Sequence, residues 1–342
     1  MKRRMTSADR WIDAFLAANP ELADLRAGTY AASGEEAAAA AVWLMGRRGL
    51  PAPSKMGTAE LLRAQSEDIS LAVPEDVALW SRWRSCRHVF DFDPDLAAAL
   101  AASDSPDSMP LDALARLPYP IQYVQAPISS WSPSGRAFSH PGFFAWRDTQ
   151  RDAGGGVRDV LLVFLVREGR PCVRLSLDLA CGTVGGAADS LVDADLALYG
   201  RLGGPPGGFD AASARSRARE TAGDALSLLL YLVSDGADRE VVYRPSGGGG
   251  GTRRLSPSTI HSVGARAGAA LRAARIRYGG GGGSGPSGRT VSAHVRAGHW
   301  HCHWHGAVGS PERRLVPHWQ PPVLVNPGGR EDGSTVVHRA GR

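Results

Sequence analysis

Cysteine is scarce in this sequence. The four that occur, Cys86, Cys172, Cys181 and Cys302, lie far apart, and no CxxC pair exists. This excludes a dense disulfide framework and fits a reducing compartment such as the cytoplasm. Long apolar runs are missing as well. Runs such as Val160 to Val166 are far too short to cross a bilayer. The amino terminus, MKRRMTSADRW, is basic, but no apolar segment follows it, so no signal peptide is expected. Acidic side chains are absent over one long stretch: Gly251 to Trp300 holds eight arginines and no Asp or Glu. Such a stretch attracts phosphates or acidic partners, although a merely solvated basic face has the same composition. These absences describe a soluble cytoplasmic protein with no membrane partner.

Usable chemistry is concentrated near the carboxyl end. His294 to Pro322 holds six of the ten histidines and three of the nine tryptophans. From His299 to His305 the residues alternate strictly, HWHCHWH. A strand sends successive side chains to opposite faces. His299, His301, His303 and His305 then share one face, and Trp300, Cys302 and Trp304 share the other, the natural core side. Gly306 and Gly309 bracket a turn, after which Arg313 to Trp319 returns as the partner strand. Pro317 lacks a ladder donor and puts that strand at an edge or a bulge. Pro321 and Pro322 stop pairing, and Gly298 marks a bulge or a close backbone approach.

Three chemistries suit this segment. His-x-His on a strand is a workable start for zinc, but Cys302 faces away and no second cluster has ligand spacing, so no metal or other cofactor is expected. His294, Arg296 and His299 supply the residue types of a histidine-dependent ribonuclease: acid, base and cation beside a phosphate. A histidine face with Arg313, Arg314 and Trp319 next to a basic helix suits binding without chemistry, to RNA or an acidic peptide. Each stands against the plain alternative of a polar strand over a tryptophan core.

The rest of the chain reads as scaffold. Residues 8–46 are helical by pattern, with Ser7 as a cap; 58–67 form a third helix. The aromatic and basic patch WSRWRSCRH, Trp80 to His88, suits base stacking or, equally, a helix end with snorkelling arginines. Asp91, Asp93 and Asp95 fail the calcium-loop pattern, because Leu96 and Ala102 stand where Gly and Glu are required. Asp93 as N-cap with Pro94 behind it, opening a helix through Leu100, accounts for them better. Pro110 to Leu117 makes a short helix. Tyr119 to Gln125 and Phe143 to Trp146 are strands. Val157 to Arg167 and Pro171 to Leu179 form a hairpin, the first strand apolar on both faces and therefore central. CGTVGG, residues 181–186, is a loop without phosphate-loop spacing, followed by a helix over 187–201. Ala212 to Ser234 is the strongest helix, buried almost all round at LSLLLYLV. Two glycine tracts, 247–251 and 279–283, flank a basic helix over Ser258 to Arg277 that carries Arg266, Arg272, Arg275 and Arg277.

The expected fold is therefore α+β: a mainly antiparallel sheet packed on a long buried helix, with a helical N-terminal region and a C-terminal β-hairpin. The expected division is a helical region over 1–80, a central core over 81–244, a basic helix and His/Trp hairpin over 245–326 belonging to the same core, and a disordered tail over 327–342.

The run AHVRAGHWHCHW…ERRLVPHWQPPVLVN resembles the C-terminal block of a type V-A anti-CRISPR family. His294, Arg296, Gly298, His299, Trp300, Trp319 and Pro322 match its pattern. VFDFDPDLAAAL, LARLPYPIQYVQAP, GFFAWRD and LSLLLYLVSD are similar to it too, so the resemblance spans roughly residues 85–326. It implies a non-enzymatic inhibitor carried by mobile elements, phage or plasmid. Such a protein binds the nascent polypeptide of a type V Cas effector, its RNA, or both, and lowers the effector's messenger RNA during translation.

Overall fold

The computed structural model describes residues 6–18, 74–103, 109–131, 135–151, 156–167, 170–201, 209–244, 258–278, 294–296 and 298–325. The expected helices between residues 19 and 73, both glycine tracts and the tail over 327–342 lie outside them. In chain order the elements are α1 (Ser7–Ala18), α2 (Pro74–Ser85), β1 (His88–Phe92), α3 (Pro94–Ala101), a 3-10 turn (Leu111–Arg116), β2 (Ile121–Gln125), β3 (Ile128–Trp131), β4 (Ala137–His140), β5 (Phe143–Arg151), β6 (Val157–Arg167), β7 (Arg170–Asp178), a 3-10 turn (Leu179–Cys181), α4 (Val184–Arg201), α5 (Ala211–Val233), β8 (Arg239–Tyr243), β9 (Thr259–Val263), α6 (Ala265–Tyr278), β10 (His294–Arg296), β11 (His299–His305), β12 (Arg314–Gln320) and β13 (Val323–Val325).

A seven-stranded sheet in the order β7-β6-β5-β2-β1-β9-β8 carries the molecule. Four of its pairings are antiparallel; β1 runs parallel to both β2 and β9. The mainly antiparallel α+β architecture is the expected one. The side-chain period of two divides the strands cleanly between two cores. Leu161, Val163 and Leu165 of β6 join Phe143 and Ala145 of β5 on one face, with α3, α4 and the buried half of α5 over them. Val160, Leu162, Phe164 and Val166 join Phe144 and Trp146 on the other face, under Trp11 and Ile12 of α1 and Leu79, Trp80 and Trp83 of α2. This is why LLVFLV has no polar side: both faces of the strand are covered.

The long helix α5 starts at an Asp210 cap, whose carboxylate accepts from the Ser213 amide. From Thr221 to Val233 nearly every residue is buried. Each leucine there contributes about 1.5–3 kcal/mol by leaving water. Its polar first half pairs with α4 through Arg215–Asp193 and Arg219–Asp189. Asp93 is the expected N-cap of α3, accepting from the amides of Asp95 and Leu96, with Pro94 next in line.

Two expectations need correction. The basic helix does not begin at Ser258. Thr259 to Val263 is β9, hydrogen-bonded between β1 and β8, and the helix starts only at Ala265. The segment TIHSV alternates and is β-branched, and Gly264, at φ +77°, breaks the chain between strand and helix. The C-terminal hairpin is present as expected, and it contributes no strand to the main sheet. β11 and β12 form a two-stranded sheet of their own, as do β10 and β13. α4 also begins earlier than expected, at Val184.

The aromatic and basic patch at residues 80–88 is absorbed by the fold. Trp80 and Trp83 are buried. Arg82 makes two hydrogen bonds to the Asp148 carboxylate, and Arg87 reaches Asp9 at 2.7 Å. No base-stacking surface is left there. Among the described residues no helix is long and apolar enough to cross a membrane.

Candidate functional site: the imidazole face of the C-terminal hairpin

β11 and β12 pair over their full length, His299 with Gln320 through His305 with Arg314. Directly opposed residues of an antiparallel pair share a face. One face therefore holds His299, His301, His303 and His305 from β11 with His318 and Arg314 from β12. The other holds Trp300, Cys302 and Trp304 with Trp319, Pro317 and Leu315. The alternation anticipated from the sequence is the one observed.

The second face is only partly a core side. Trp319 is buried, lies edge-on to Tyr231 of α5 at 6.1 Å, and donates from Nε1 to Ser103 Oγ at 2.9 Å. Trp300 and Cys302 pack against the same core. Cys302 Sγ lies 3.4 Å from Met109 Sδ, and burial, with Asp112 nearby, raises its thiol above the usual range. It is a packing group, not a thiolate. Gly298 makes the close approach possible: a Cβ there would lie 2.9 Å from Ser103 Oγ and 3.1 Å from the Gln320 carbonyl oxygen. Trp304, expected in the core, is instead 57% exposed. The Arg313 guanidinium sits 4.4 Å from its ring centre.

The imidazoles form a continuous row. His299 and His301 lie 4.7 Å apart between ring centres, His301 and His303 5.9 Å and nearly parallel, and His303 and His318 6.0 Å. His301, His303 and His305 are exposed; His299 and His318 are half-buried. Burial, and then neighbouring His303, hold His318 below the ordinary imidazole range, against a smaller opposite pull from Asp235. Arg314 is exposed at the tip. Among the described residues no three His, Cys, Asp or Glu side chains are grouped so as to hold a metal ion.

The remaining anticipated residues are placed differently. His294 and Arg296 belong to β10, opposite Val325 and Val323 of β13. The structure describes their backbone, not their side chains. Arg272 bridges Asp93 and Asp95, Arg275 reaches Asp95, and Arg266 reaches Asp238. Those hydrogen bonds hold the Asp95 carboxyl below its ordinary range. So three of the four arginines of the basic helix face aspartates of the same chain. The side chain of Arg277 lies outside the described ones.

A second histidine group had no sequence signal. His88 of β1 and His261 of β9 are 173 positions apart, yet His88 Nδ1 lies 2.9 Å from His261 Nε2. Tyr119 stacks on His88 at 3.4 Å and Phe90 on His261 at 4.6 Å. Parallel pairing of β1 with β9 brings them together, and no local pattern announces it.

Residues 90–327 match the model of the AcrVA2-like family, anti-CRISPR type V subtype A2. A crystal structure of AcrVA2 matches the fold with a TM-score of 0.58 at 18% identity, over 94% of this chain and 100% of that one. No curated protein matches the chain.

Proposed function

Because the chain belongs to the AcrVA2-like family of type V subtype A2 anti-CRISPR proteins, we propose that it is a non-enzymatic negative regulator, carried by mobile elements, that lowers expression of a type V Cas effector. It acts by binding the effector's nascent polypeptide, its RNA, or both, in the cytoplasm. The observation that supports this reading is the hairpin. His301, His303, His305 and Arg314 are open to solvent, while Trp319, Trp300 and Cys302 fasten the opposite face to the core. A face anchored from behind at its inner half and lined with imidazoles in front is suited to recognition.

The test is made in cells that express a type V effector. Effector message and protein are measured with the chain, without it, and with a His301→Ala/His303→Ala/Arg314→Ala variant. The reading requires both quantities to fall with the chain and to recover with the variant. Unchanged message and protein, with the chain well expressed, would refute it.

A further inference from the structure

We propose that the outer half of the hairpin takes single-stranded RNA, stacking bases on the row His301, His303 and His318 and on Trp304 while Arg313 and Arg314 meet phosphates. This rests on the function proposed above, which supplies the preference for RNA over DNA. The chemistry of the ligand comes from the hairpin itself.

The outer half is exposed on both sides. His303 and His305 are exposed on one face, Trp304 on the other, and Val308 at the turn is 85% exposed. Trp304 is 57% exposed and carries the Arg313 guanidinium over its ring at 4.4 Å. The outer half therefore presents flat rings and the Arg313 and Arg314 guanidinium groups, with Glu312 and Val308 at the turn.

The choice between an acidic peptide and a nucleic acid follows from charge. An acidic peptide needs cations. Among the described residues of the imidazole face the one permanent cation is Arg314, and burial holds His318 below the ordinary imidazole range. Near-parallel imidazole rings at 5.9 Å add flat aromatic surface and no permanent charge, and so offer carboxylates little. They offer bases what single-stranded RNA modules use: aromatic rings or guanidinium planes on which unstacked bases lie, with cations beside the backbone. Arg313 and Arg314 stand next to each other in sequence, one toward Trp304 and one opposite His305, so cations border both faces at the same end of the ribbon. A flexible single strand can bend round that edge; a duplex cannot.

The experiment uses the purified full chain and a fluorescein-labelled twelve-nucleotide uridine and adenosine RNA, read by anisotropy. Competitors are the unlabelled RNA, the matching DNA, and a poly-glutamate peptide of equal charge. Wild-type protein should bind the RNA, and the RNA should displace the label better than either competitor. Trp304→Ala, and separately His301→Ala/His303→Ala, should each weaken binding by about tenfold, as loss of a stacking platform does. Arg314→Gln should reduce the salt slope by about 0.7, the single-strand value for one phosphate contact. Arg147→Gln, on the far strand β5 and paired with Asp159, should change nothing. Unaltered melting curves confirm that the exposed positions were replaced without unfolding.

Failure of the wild-type chain to bind the RNA, or binding indifferent to all three hairpin variants, would overturn the inference. So would a poly-glutamate peptide or the DNA competing as well as the RNA. The assay contains no effector, so it can fail while effector repression survives in cells. Repression can likewise fail while the hairpin binds RNA.

Discussion

At His261 the physics is that of an imidazole denied water. Burial first, then His88, Arg239 and Arg244, push its pKa down to about 4 from 6.5. The folded chain therefore refuses a proton that the unfolded chain accepts. Stability is complete above the unfolded pKa and is lost as pH falls from about 6.5 toward 4, by roughly 3 kcal/mol. Urea unfolding of wild type and His261→Gln at pH 7.5 and 4.5 checks this: the variant should lose about 2 kcal/mol less on acidification. Equal losses would mean that His261 titrates normally. Asp224 of α5 behaves with the opposite sign. It lines a cleft of about 620 Å³ with Glu220 and Ser103, and burial, then Glu220, push its carboxyl up to about 6. Its cost is absent below the ordinary carboxyl pKa and complete above pH 6. Asp224→Asn should raise stability by about 1 kcal/mol at pH 7.5, after allowing for its partial contact with solvent, and by almost nothing near pH 4. Neither shift is legible in the sequence, because both depend on what covers the residue.

At the scale of elements, the start of α3 combines a local rule with a distant one. Asp93 as N-cap and Pro94 at the first helical position follow from the residues alone. That Arg272 of α6 would also bind Asp93, 179 positions away, does not. Asp93→Ala should cost about 2 kcal/mol in thermal or urea unfolding, mostly the cap. In a double-mutant cycle the coupling to Arg272 should stay below about 1 kcal/mol, because that guanidinium is half in water. A larger coupling would make the ion pair, not the cap, the main support. The same contrast explains the error over residues 258–264. Arginine-rich α6 dominates the composition of that window, while TIHSV before it is a strand only because β1 and β8 pair with it. The hairpin alternation was legible because a period of two is local. The exposure of Trp304 was not, since it depends on what the rest of the fold places against the ribbon.

Across the whole molecule, Asp9 of α1 ties distant parts together. Its carboxylate accepts from Thr6, from Arg87 after α2 and from Ser258 before β9, 249 positions away. Arg87 and Asp9 are both buried. Removing one partner of such a pair leaves a buried, uncompensated charge. Asp9→Ala should therefore cost about 3–5 kcal/mol. It should lower one cooperative transition, in far-ultraviolet circular dichroism and tryptophan fluorescence alike. Two separated transitions would show that α1 and the sheet melt independently.

The sequence alone determined what depends on neighbours in the chain: the buried helix α5, the Asp93 cap, the apolar strands, the face-by-face order of the histidines, and the blocks that mark the family; the cap of α1 is Thr6 and not the expected Ser7. Only the tertiary structure decided which strands lie parallel, that the hairpin stands apart from the main sheet, that the basic helix turns its arginines toward aspartates, and that His88 meets His261. Those outcomes depend on contacts between residues far apart in sequence, where burial and pairing outweigh any local preference.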